Sequence, residues 1–575
     1  MNRIDRAVIV GLVAVLGLAV LAIGLPAMAP KVAAPTSIAV PSAVAAPPWR
    51  EGLLSRPTNV SPLAARTQAD RDLVALVFEG LIARGPDGTP EPAIARAWTS
   101  SAAGDQWTFE LDPTRRWQDG EPVTAADVTF TIGVLEDPAY HGPGAGSWAG
   151  ITATAVDPMT VRFDLATPIG GFLDLAVQPI VPRHLLADTA PAAMADAAFG
   201  RKPIGSGPYR VVELDRDHAV LDLVAAGSGP DPSAPAGPSG DPLATPAVTA
   251  RPSGPAPALD RLELRFFDDA SALGTAFSAG SVDVVSGLDP AAAVALGTTP
   301  GAQVVREPST TLAAVVLDLR PSEPAFADPR TRLGLLAAID RQRIVDVVYG
   351  GAATRADGLI PPSSWAFDAA ASPPLKRDLK AAAKSLVAAG WTKAKDGWHQ
   401  AGSADPRTIE LLVPSRDANP ILAAAGTQVA ADWTALGFTV KVVEADPAII
   451  ATDHLRTGEF EAAIVDIAIG HDPDLYPLLA STQVRTGGAN VIGVQDPVLD
   501  DALANARKPG PQAARAAAYG SLQQRLAGGT YILPIAWPNV VVVAGRRVIG
   551  LVPREVADGS ERFGDVLTWR LADDR

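Results

Sequence analysis

The spacing of apolar side chains alternates between two periods along the chain from Trp49 onward. Some stretches place apolar residues three and four positions apart, which predicts helices with one buried face. Others alternate apolar and polar residues, or stay apolar over a few positions, which predicts strands. This mixture indicates α/β lobes rather than a helical bundle or a β-sandwich. The predicted helices cover 69–82, 329–349, 374–391 and 419–437, and the predicted strands cover 153–166, 209–214, 261–267, 312–319, 408–414, 438–445 and 531–545.

The stretch WTFELDPTRRWQDGEPVTAADVTFTI, residues 107–132, predicts three elements in close succession. Apolar and polar residues alternate over 107–112, as in a half-buried strand. The Asp-Gly pair at 119–120 is a turn signal. Thr124 with Asp127 three positions later predicts a capping box at the start of a helix. The stretch is therefore scaffold, and nothing in it performs chemistry.

The N-terminal segment, 1–30, is apolar after two arginines and is long enough to cross a membrane as a helix. Arginines before the run favour an N-terminus that stays inside and a body that lies outside. A cleaved signal peptide ending at 27–29 is the alternative. Pro30 directly after those residues disfavours cleavage, so we expect an uncleaved anchor, followed by a Pro/Ala-rich linker at 31–49.

One internal segment breaks the α/β pattern. Residues 225–260 are rich in proline, glycine, serine and alanine. Such a composition buries too little apolar area to offset the entropy lost on ordering, so we predict a disordered surface insertion.

Composition narrows the possible functions. The chain has 575 residues, too many for one hydrophobic core, so two or three lobes are expected. A formal net charge of −15 disfavours nucleic-acid binding, because an acidic surface repels phosphates. The absence of cysteine excludes disulfides and thiolate chemistry. The six histidines are scattered, and we found no metalloprotease motif, nucleophile elbow or P-loop. We therefore expect no enzyme, no catalytic residue, no metal and no cofactor.

Several ordered motifs carry a family resemblance. The core motif is Trp117, Asp119, Gly120, Pro122, Thr124, Ala125, Asp127 and Val128, and it is accompanied by PTNVSPLAARTQADRDLVALVFEGLIARGPDGTPEPAIARAW at 57–98, PIGSGPYRV at 203–211, SAGSVDVV at 278–285, PAFADPRTRLGLLAAIDRQRIVDVVYGGAATRADGLIPPSSW at 324–365 and HDPDLYPLL at 471–479. In this order they resemble the family 5 extracellular solute-binding proteins, the peptide- and nickel-type receptors of ABC importers, over about residues 50–575. The family's usual Asn-x-x-Tyr-Trp stretch is replaced here by the 225–260 segment.

The resemblance implies a fold of known type. It is the α/β, two-lobed periplasmic-binding-protein-like fold of type II, with an extra domain, preceded here by the N-terminal transmembrane or signal helix. The solute-binding body would occupy 50–575. The implied parts are lobe I at 50–80, 200–312 and 531–575, the extra domain at 81–199, and lobe II at 313–530.

The resemblance also implies a function. The protein would be an extracytoplasmic receptor that captures an oligopeptide-like or other small solute in an interlobe cleft and delivers it to an ABC permease. It would be monomeric and anchored to the cell membrane, or secreted after signal cleavage. The alternative is a membrane-anchored solute-sensing or surface interaction protein without a role in transport.

Candidate ligand contacts follow from the family's cleft. By resemblance, contacts come from the segment after the Pro-Leu entry and from the strand and loop around the Asp-Pro-Asp motif. A tryptophan in the Gly-rich loop HGPGAGSW and an asparagine in TGGANVIG are further candidates. The candidates are Arg66, Thr67, Gln68, Trp148, Asp466, Ile469, His471 and Asn490.

One departure bears on the ligand. Peptide-binding members carry an aspartate before the Asp-Pro-Asp loop that pairs with the peptide's α-amine, and that position is Ile469 here. An isoleucine cannot compensate a buried ammonium. We therefore expect a ligand other than a free-amine peptide, unless Asp466 takes the missing role.

Overall fold

The computed structural model describes residues 48–86, 88–224, 259–485 and 487–572. The predicted N-terminal anchor or signal, nearly all of the predicted linker and nearly all of the predicted insertion lie outside the described residues. Within the described part of the chain, no helix combines the length and the apolar character that crossing a membrane requires.

The described chain alternates helices and strands, as the hydrophobic pattern predicts. The α-helical segments are α1 Gln68–Val77, α2 Ala125–Glu136, α3 Phe172–Leu175, α4 Arg183–Leu186, α5 Ala270–Ser278, α6 Pro290–Leu296, α7 Pro329–Ala338, α8 Arg341–Arg343, α9 Leu379–Ala388, α10 Pro420–Leu436, α11 Pro447–Ile449, α12 Tyr476–Leu479, α13 Pro497–Ala506 and α14 Gln512–Gly529. Short 3₁₀ turns cover Pro191–Asp196, Ala198–Arg201, Pro324–Phe326, Ser481–Gln483 and Gly559–Thr568, and π turns cover Ile344–Val348 and Ile450–Leu455.

The strands are β1 Trp49–Leu53, β2 Ile82–Arg84, β3 Pro90–Pro92, β4 Ala95–Ser100, β5 Gln106–Leu111, β6 Ile151–Asp157, β7 Thr160–Leu165, β8 Tyr209–Leu214, β9 His218–Leu223, β10 Arg261–Phe266, β11 Val284–Ser286, β12 Ala302–Pro308, β13 Thr311–Leu317, β14 Ala353–Arg355, β15 Thr392–Lys393, β16 Trp398–His399, β17 Thr408–Pro414, β18 Thr439–Ala445, β19 Ala462–Ala468, β20 Ile532–Gly545, β21 Val548–Ile549 and β22 Arg570–Leu571.

A mixed sheet of 12 strands organises the body. Its order is β18-β17-β19-β13-β20-β11-β1-β10-β9-β8, and β12 and β14 pair with β20 beside this path. β17 runs parallel to β18 and β19, and β1 runs parallel to β10 and β11, whereas β20 is antiparallel to its neighbours.

β20 lies in the middle of this sheet and pairs with strands on both sides of it. Its first residues, from Ile532 to Pro538, pair with β13 and β14, and its last, from Asn539 to Gly545, pair with β11 and β12. Beside it the chain passes from β12 to β13 through 309–310. We refer to strands β1 and β8–β12 as the β1 half, and to β13, β14 and β17–β19 as the β13 half.

The burial of β13 on both faces explains why its sequence is a continuous apolar run. Leu312, Ala314 and Val316 belong to one buried cluster, and the alternating residues Ala313 and Val315 belong to another. A strand covered on both faces has no polar side, so the alternation expected of a half-buried strand is absent.

A second sheet of four strands has the order β4-β5-β7-β6. Its apolar face carries an aromatic cluster, in which the Trp148 and Phe163 rings lie 5.5 Å apart. The predicted strand, turn and helix are confirmed here as β5 and α2. The capping box between Thr124 and Asp127 is also confirmed, with the backbone N–H of Thr124 donating to Asp127 Oδ2 over 2.8 Å.

Two predicted elements are divided in the structure. The run at 153–166 is a hairpin of β6 and β7, because Pro158 carries no N–H and Asp157 Oδ1 accepts a hydrogen bond from the Met159 N–H over 2.8 Å, which forms a turn. The helix predicted at 329–349 stops at Ala338, where Ile339 adopts an extended backbone, and resumes with α8 and a π turn.

Candidate functional site

A cavity of about 440 Å³ lies between α1, β2, the loop after β19 and the segment that follows β21. Apolar residues including Val74, Phe78 and Phe563 form much of its wall. Charged side chains of both signs interrupt this wall, among them Arg71, Glu79, Arg84, His471, Glu555 and Glu561. A concave, mostly apolar site with a few convergent polar groups is typical of small-molecule binding.

His471 closes one side of the cavity. It comes from the loop after β19, whereas both of its partners come from the segment after β21. Its Nε2 lies 2.8 Å from Glu561 Oε2, and its Nδ1 lies 3.3 Å from Glu555 Oε1. Burial disfavours the charged ring, but the two carboxylates outweigh it and raise the pKa of His471 above its usual value. The protonated ring donates from both nitrogens, so it ties two distant segments together.

Paired charges hold the Asp-Pro-Asp loop. Arg515 donates to both carboxylate oxygens of Asp472, at 2.5 and 2.8 Å, and the Tyr519 hydroxyl donates over 3.2 Å. The backbone N–H of Asp472 donates to Asp174 Oδ2 over 2.5 Å, and Asp174 also pairs with Arg84. The loop is therefore joined to α3 on one side and to α14 on the other, and the Asp472 carboxylate is already occupied.

The segment Gly559–Thr568 is anchored beneath the cavity by one arginine. Arg562 lies 2.7 Å from Glu51 on β1 and 2.7 Å from Asp72 on α1. Both carboxylates have no exposed surface. Burial works against these charges, but Asp72 and Glu51 outweigh it and raise the pKa of Arg562. This anchoring fixes the wall that presents Glu555 and Glu561 to His471.

Two buried groups near the cavity have unused hydrogen-bonding capacity. Glu555 Oε2 and Arg554 Nε have no hydrogen-bond partner among the described residues, and both residues line the cavity. Buried polar atoms are nearly always satisfied in native proteins. An acceptor and a donor left open on the same wall suit a ligand that carries both kinds of group.

The predicted contacts Arg66, Thr67 and Gln68 lie at the start of α1. Thr67 is the N-cap of that helix, and the Arg66 side chain is exposed. Gln68 donates to Asp72 over 2.8 Å and reaches Asp558 at 3.4 Å. Because Asp558 lines the cavity, Gln68 is one contact away from the wall.

Three other residues predicted to contact the ligand are packed against, or hydrogen-bonded to, other parts of the protein. Trp148 is 1% exposed and packs against Phe163 in the aromatic cluster, so it does not line the cavity. Ile469 belongs to an apolar cluster of the β13 half, and its N–H donates to the Thr310 carbonyl over 3.2 Å. Asn490 is buried, and its amide donates to two backbone carbonyls. Ligand contact at these positions stays a prediction.

Asp466 lies near the carboxyl end of β19, apart from the 440 Å³ cavity. Its Oδ2 accepts a hydrogen bond from Asn419, the N-cap of α10, over 3.3 Å. Asp466 is exposed, and desolvation by the surrounding protein raises the pKa of its carboxyl group to about 6, against the opposing effect of the Asn419 hydrogen bond.

One group of side chains in the described part of the chain has the composition of a metal site. Glu213, Asp215 and His218 lie at the turn between β8 and β9. His218 Nε2 lies 3.2 Å from Glu213 Oε1, and its Nδ1 lies 3.0 Å from Asp215 Oδ2. Each ring nitrogen thus already has a carboxylate partner, and none of the three residues lines the cavity.

Sequence reasoning identified His471 but missed the residues that surround it. Arg84 lies in the 57–98 motif without being singled out there, and Asp174, Glu555 and Glu561 lie outside every quoted motif. Their proximity arises only from the packing of the segment after β21 against the loop after β19, which no local pattern encodes.

A family profile matches this chain. The profile for the bacterial extracellular solute-binding proteins, family 5 middle, matches residues 89–488. Protein XP55 of Streptomyces lividans is 29% identical over 481 residues, which cover 83% of this chain and 80% of that protein. The glutathione-binding protein GsiB of Shigella boydii is 24% identical over 309 residues, 53% of this chain and 54% of its own length. The match thus spans about half of that relative.

Solved structures share the fold. The oligopeptide-binding protein AppA from Bacillus subtilis, in complex with a nonapeptide, has a TM-score of 0.69 at 19% identity, covering 91% of this chain and 99% of AppA. NikZ from Campylobacter jejuni, in complex with Ni(L-His), has a TM-score of 0.67 at 20% identity, covering 91% and 99%. At these identities the likeness establishes the fold alone.

Proposed function

The chain belongs to the bacterial extracellular solute-binding proteins of family 5, and from this premise we propose that it captures a small solute in the 440 Å³ cavity and delivers it to an ABC importer. Members of this family bind substrates without transforming them, so the prediction that the chain is not an enzyme is confirmed. Membership of an extracellular family also indicates work outside the cytoplasm.

The observation that carries this proposal is the position of His471. His471 lies in the loop after β19, a strand of the β13 half, and contacts Glu555 and Glu561. Glu561 precedes Arg562, which bonds to Glu51 on β1. The halves share β20 and the crossing at 309–310, which would serve as the hinge. Closure on a ligand would bring His471 to Glu555 and Glu561, and a ligand favours the closed state by the contacts it makes only there.

The wall limits the chemistry of the ligand. Unused hydrogen-bonding capacity at Glu555 and Arg554, beside apolar side chains, favours a solute with a donor, an acceptor and an apolar part. The relatives bind glutathione, a nonapeptide and a nickel–histidine complex. Ile469 lies in an apolar cluster, which supports a ligand without a free α-amine at that point.

The test is a thermal-shift screen of the full chain. The panel holds glutathione, short peptides with free and with blocked N-termini, nickel–histidine complexes and oligosaccharides. A ligand at 100 times its dissociation constant adds about 2.7 kcal/mol of stability. We expect blocked peptides or chelates to stabilise the chain, Glu555→Gln to reduce the shift, and the exposed Glu213→Gln control to keep it.

Other outcomes contradict parts of the proposal. A shift that survives Glu555→Gln unchanged places the ligand outside this cavity. Stabilisation by free-amine peptides makes Asp466, or another acid, the partner of the amine. No shift with any compound favours the surface interaction protein without a role in transport.

A further inference from the structure

A second cavity, of about 390 Å³, lies beside α8 and shares no lining residue with the first. Its wall is built from three chain segments: 339–342, Arg355, and 375–377. Four cationic side chains belong to it, namely Arg341, Arg355, Lys376 and Arg377. This concentration of positive charge is unexpected in a chain whose formal net charge is −15.

Two of the cations share one carboxylate. Arg341 lies 3.1 Å from Asp357 Oδ1, and Arg355 donates to Asp357 Oδ2 over 2.8 Å. The Arg341 guanidinium is 2% exposed, and its remaining hydrogen bonds go to the backbone carbonyls of Ala356 and Leu375. Carbonyl groups satisfy its donors but do not neutralise its charge. One positive charge is therefore left in excess at this end of the cavity.

The electrostatics of Arg341 agree with that excess. Burial lowers the pKa of Arg341 to about 10, and Asp357 opposes this effect while the positive charge of Arg355 adds to it. An anion in the cavity would relieve the repulsion between the two guanidinium groups.

The remaining cations leave donors available. No hydrogen bond or ion pair joins the exposed Lys376 side chain to a described residue, and Arg355 Nε is buried without a partner in the described part of the chain. Arg377 donates to Asp432 Oδ1 over 3.1 Å. The Asp340 carboxylate in the wall, at the N-cap of α8, accepts a hydrogen bond from the Arg343 backbone N–H. Four cations thus face three carboxylates, and two cations have unused donors.

We propose that this cavity binds a small oxyanion with two or more negative charges, of the phosphate or polycarboxylate class. Arg355 supplies a planar guanidinium, which matches the oxygen geometry of such anions, and Lys376 supplies a mobile ammonium at the rim. The proposal does not depend on the solute of the first cavity.

The test is isothermal titration calorimetry with the full chain at low ionic strength. Inorganic phosphate and citrate are titrated separately, and sodium chloride at matched ionic strength gives the baseline. The variants are Arg355→Gln and Lys376→Gln. Lys384→Gln is the matched control, because Lys384 is an exposed lysine of neighbouring α9 that does not line the cavity.

We expect at least one anion to bind, with its dissociation constant raised about tenfold by Arg355→Gln, about threefold by Lys376→Gln and not at all by Lys384→Gln. Lys376 has no partner in the described fold, so its substitution tests the site without disturbing folding. Heats equal to the chloride baseline for both anions would overturn the proposal. An equal loss in all three variants would also overturn it, because general charge attraction would then explain the binding.

Discussion

Two sites in this molecule have the same pattern of charges and opposite settings, since at each one cation faces two carboxylates. One joins β1 to α1 and to the segment Gly559–Thr568, beside the β1 half of the sheet. The other joins the loop after β19 to the segment after β21, where the proposed closure brings two parts into contact. They are the Arg562 site, with Glu51 and Asp72, and the His471 site, with Glu555 and Glu561.

The difference between the cations matches the difference in setting. Arginine keeps its charge at any physiological pH, so the Arg562 site is permanent once the chain is folded. Histidine loses its charge within the physiological range, so the His471 site is reversible. A permanent pair suits an anchor, and a titratable pair suits a contact that must open.

The largest expected effect comes from removing the permanent cation. Arg562→Met leaves Glu51 and Asp72 buried without a counter-charge, which destabilises the fold by about 3 to 5 kcal/mol. Urea unfolding measures this loss. Arg261→Met, at an exposed pair with Asp222, is the control and is expected to leave the unfolding midpoint unchanged. Equal midpoints for the two variants would mean that the Arg562 site is no anchor.

The second-largest effect is expected at a third acidic residue beside the Arg562 site. Glu307 on β12 is buried, its Oε2 has no partner among the described residues, and burial raises its pKa to about 7. A carboxyl group whose folded-state pKa is raised stabilises the protein below its ordinary pKa. This contribution is lost as the pH rises through about 7.

Glu307→Gln should therefore gain stability relative to the original chain as the pH rises from 5 to 8, by up to about 3 kcal/mol. Urea unfolding at the two pH values measures the change. A difference between the two proteins that does not vary with pH would show that Glu307 ionises normally.

A smaller effect is expected at the reversible site. The raised pKa of His471 means that its contribution is complete below its ordinary pKa of about 6.5 and is lost as the pH rises through the folded-state value. His471→Gln should cost about 1 to 2 kcal/mol at pH 6 and much less at pH 9. The exposed His141→Gln is the control. A loss of the same size at both pH values would contradict an ionic role for His471.

The smallest effect is expected at the cavity rim. Arg71 Nε lies 2.7 Å from Asp558 Oδ2, and both side chains are more than a third exposed, at 38% and 35%. Water screens such a pair, so Arg71→Gln should change the free energy of unfolding by less than about 1 kcal/mol. A loss as large as that of Arg562→Met would show that exposure does not separate these sites.

Many of the helices and strands could be predicted from the sequence. The continuous apolar run at 312–319 became β13, and Thr124 with Asp127 became a capping box, because both patterns act over short distances. The hairpin at 153–166 was missed because a two-residue turn at Pro158 hardly interrupts the strand pattern.

The candidate site could be predicted less well from the sequence, because its side chains come together only after folding. His471 carried a motif, whereas Glu555 and Glu561 carried none. Trp148 in its Gly-rich loop had the same sequence signal whether it faced a ligand or Phe163, and only the packing of its ring against Phe163 and Phe172 places it in the core. The lobe boundaries and the ligand contacts stay predictions.

The position of β20 in the chain also determines when the protein can complete its fold. Both halves of the large sheet need this strand, and it follows nearly all of the other described elements in chain order. Arg562 bonds to Glu51 from 511 positions away. Contacts between such distant parts of a chain form slowly, because the intervening loop must close first. The body therefore completes its fold only after residues 532–545 have been made, and a chain truncated before residue 532 lacks the strand that both halves require.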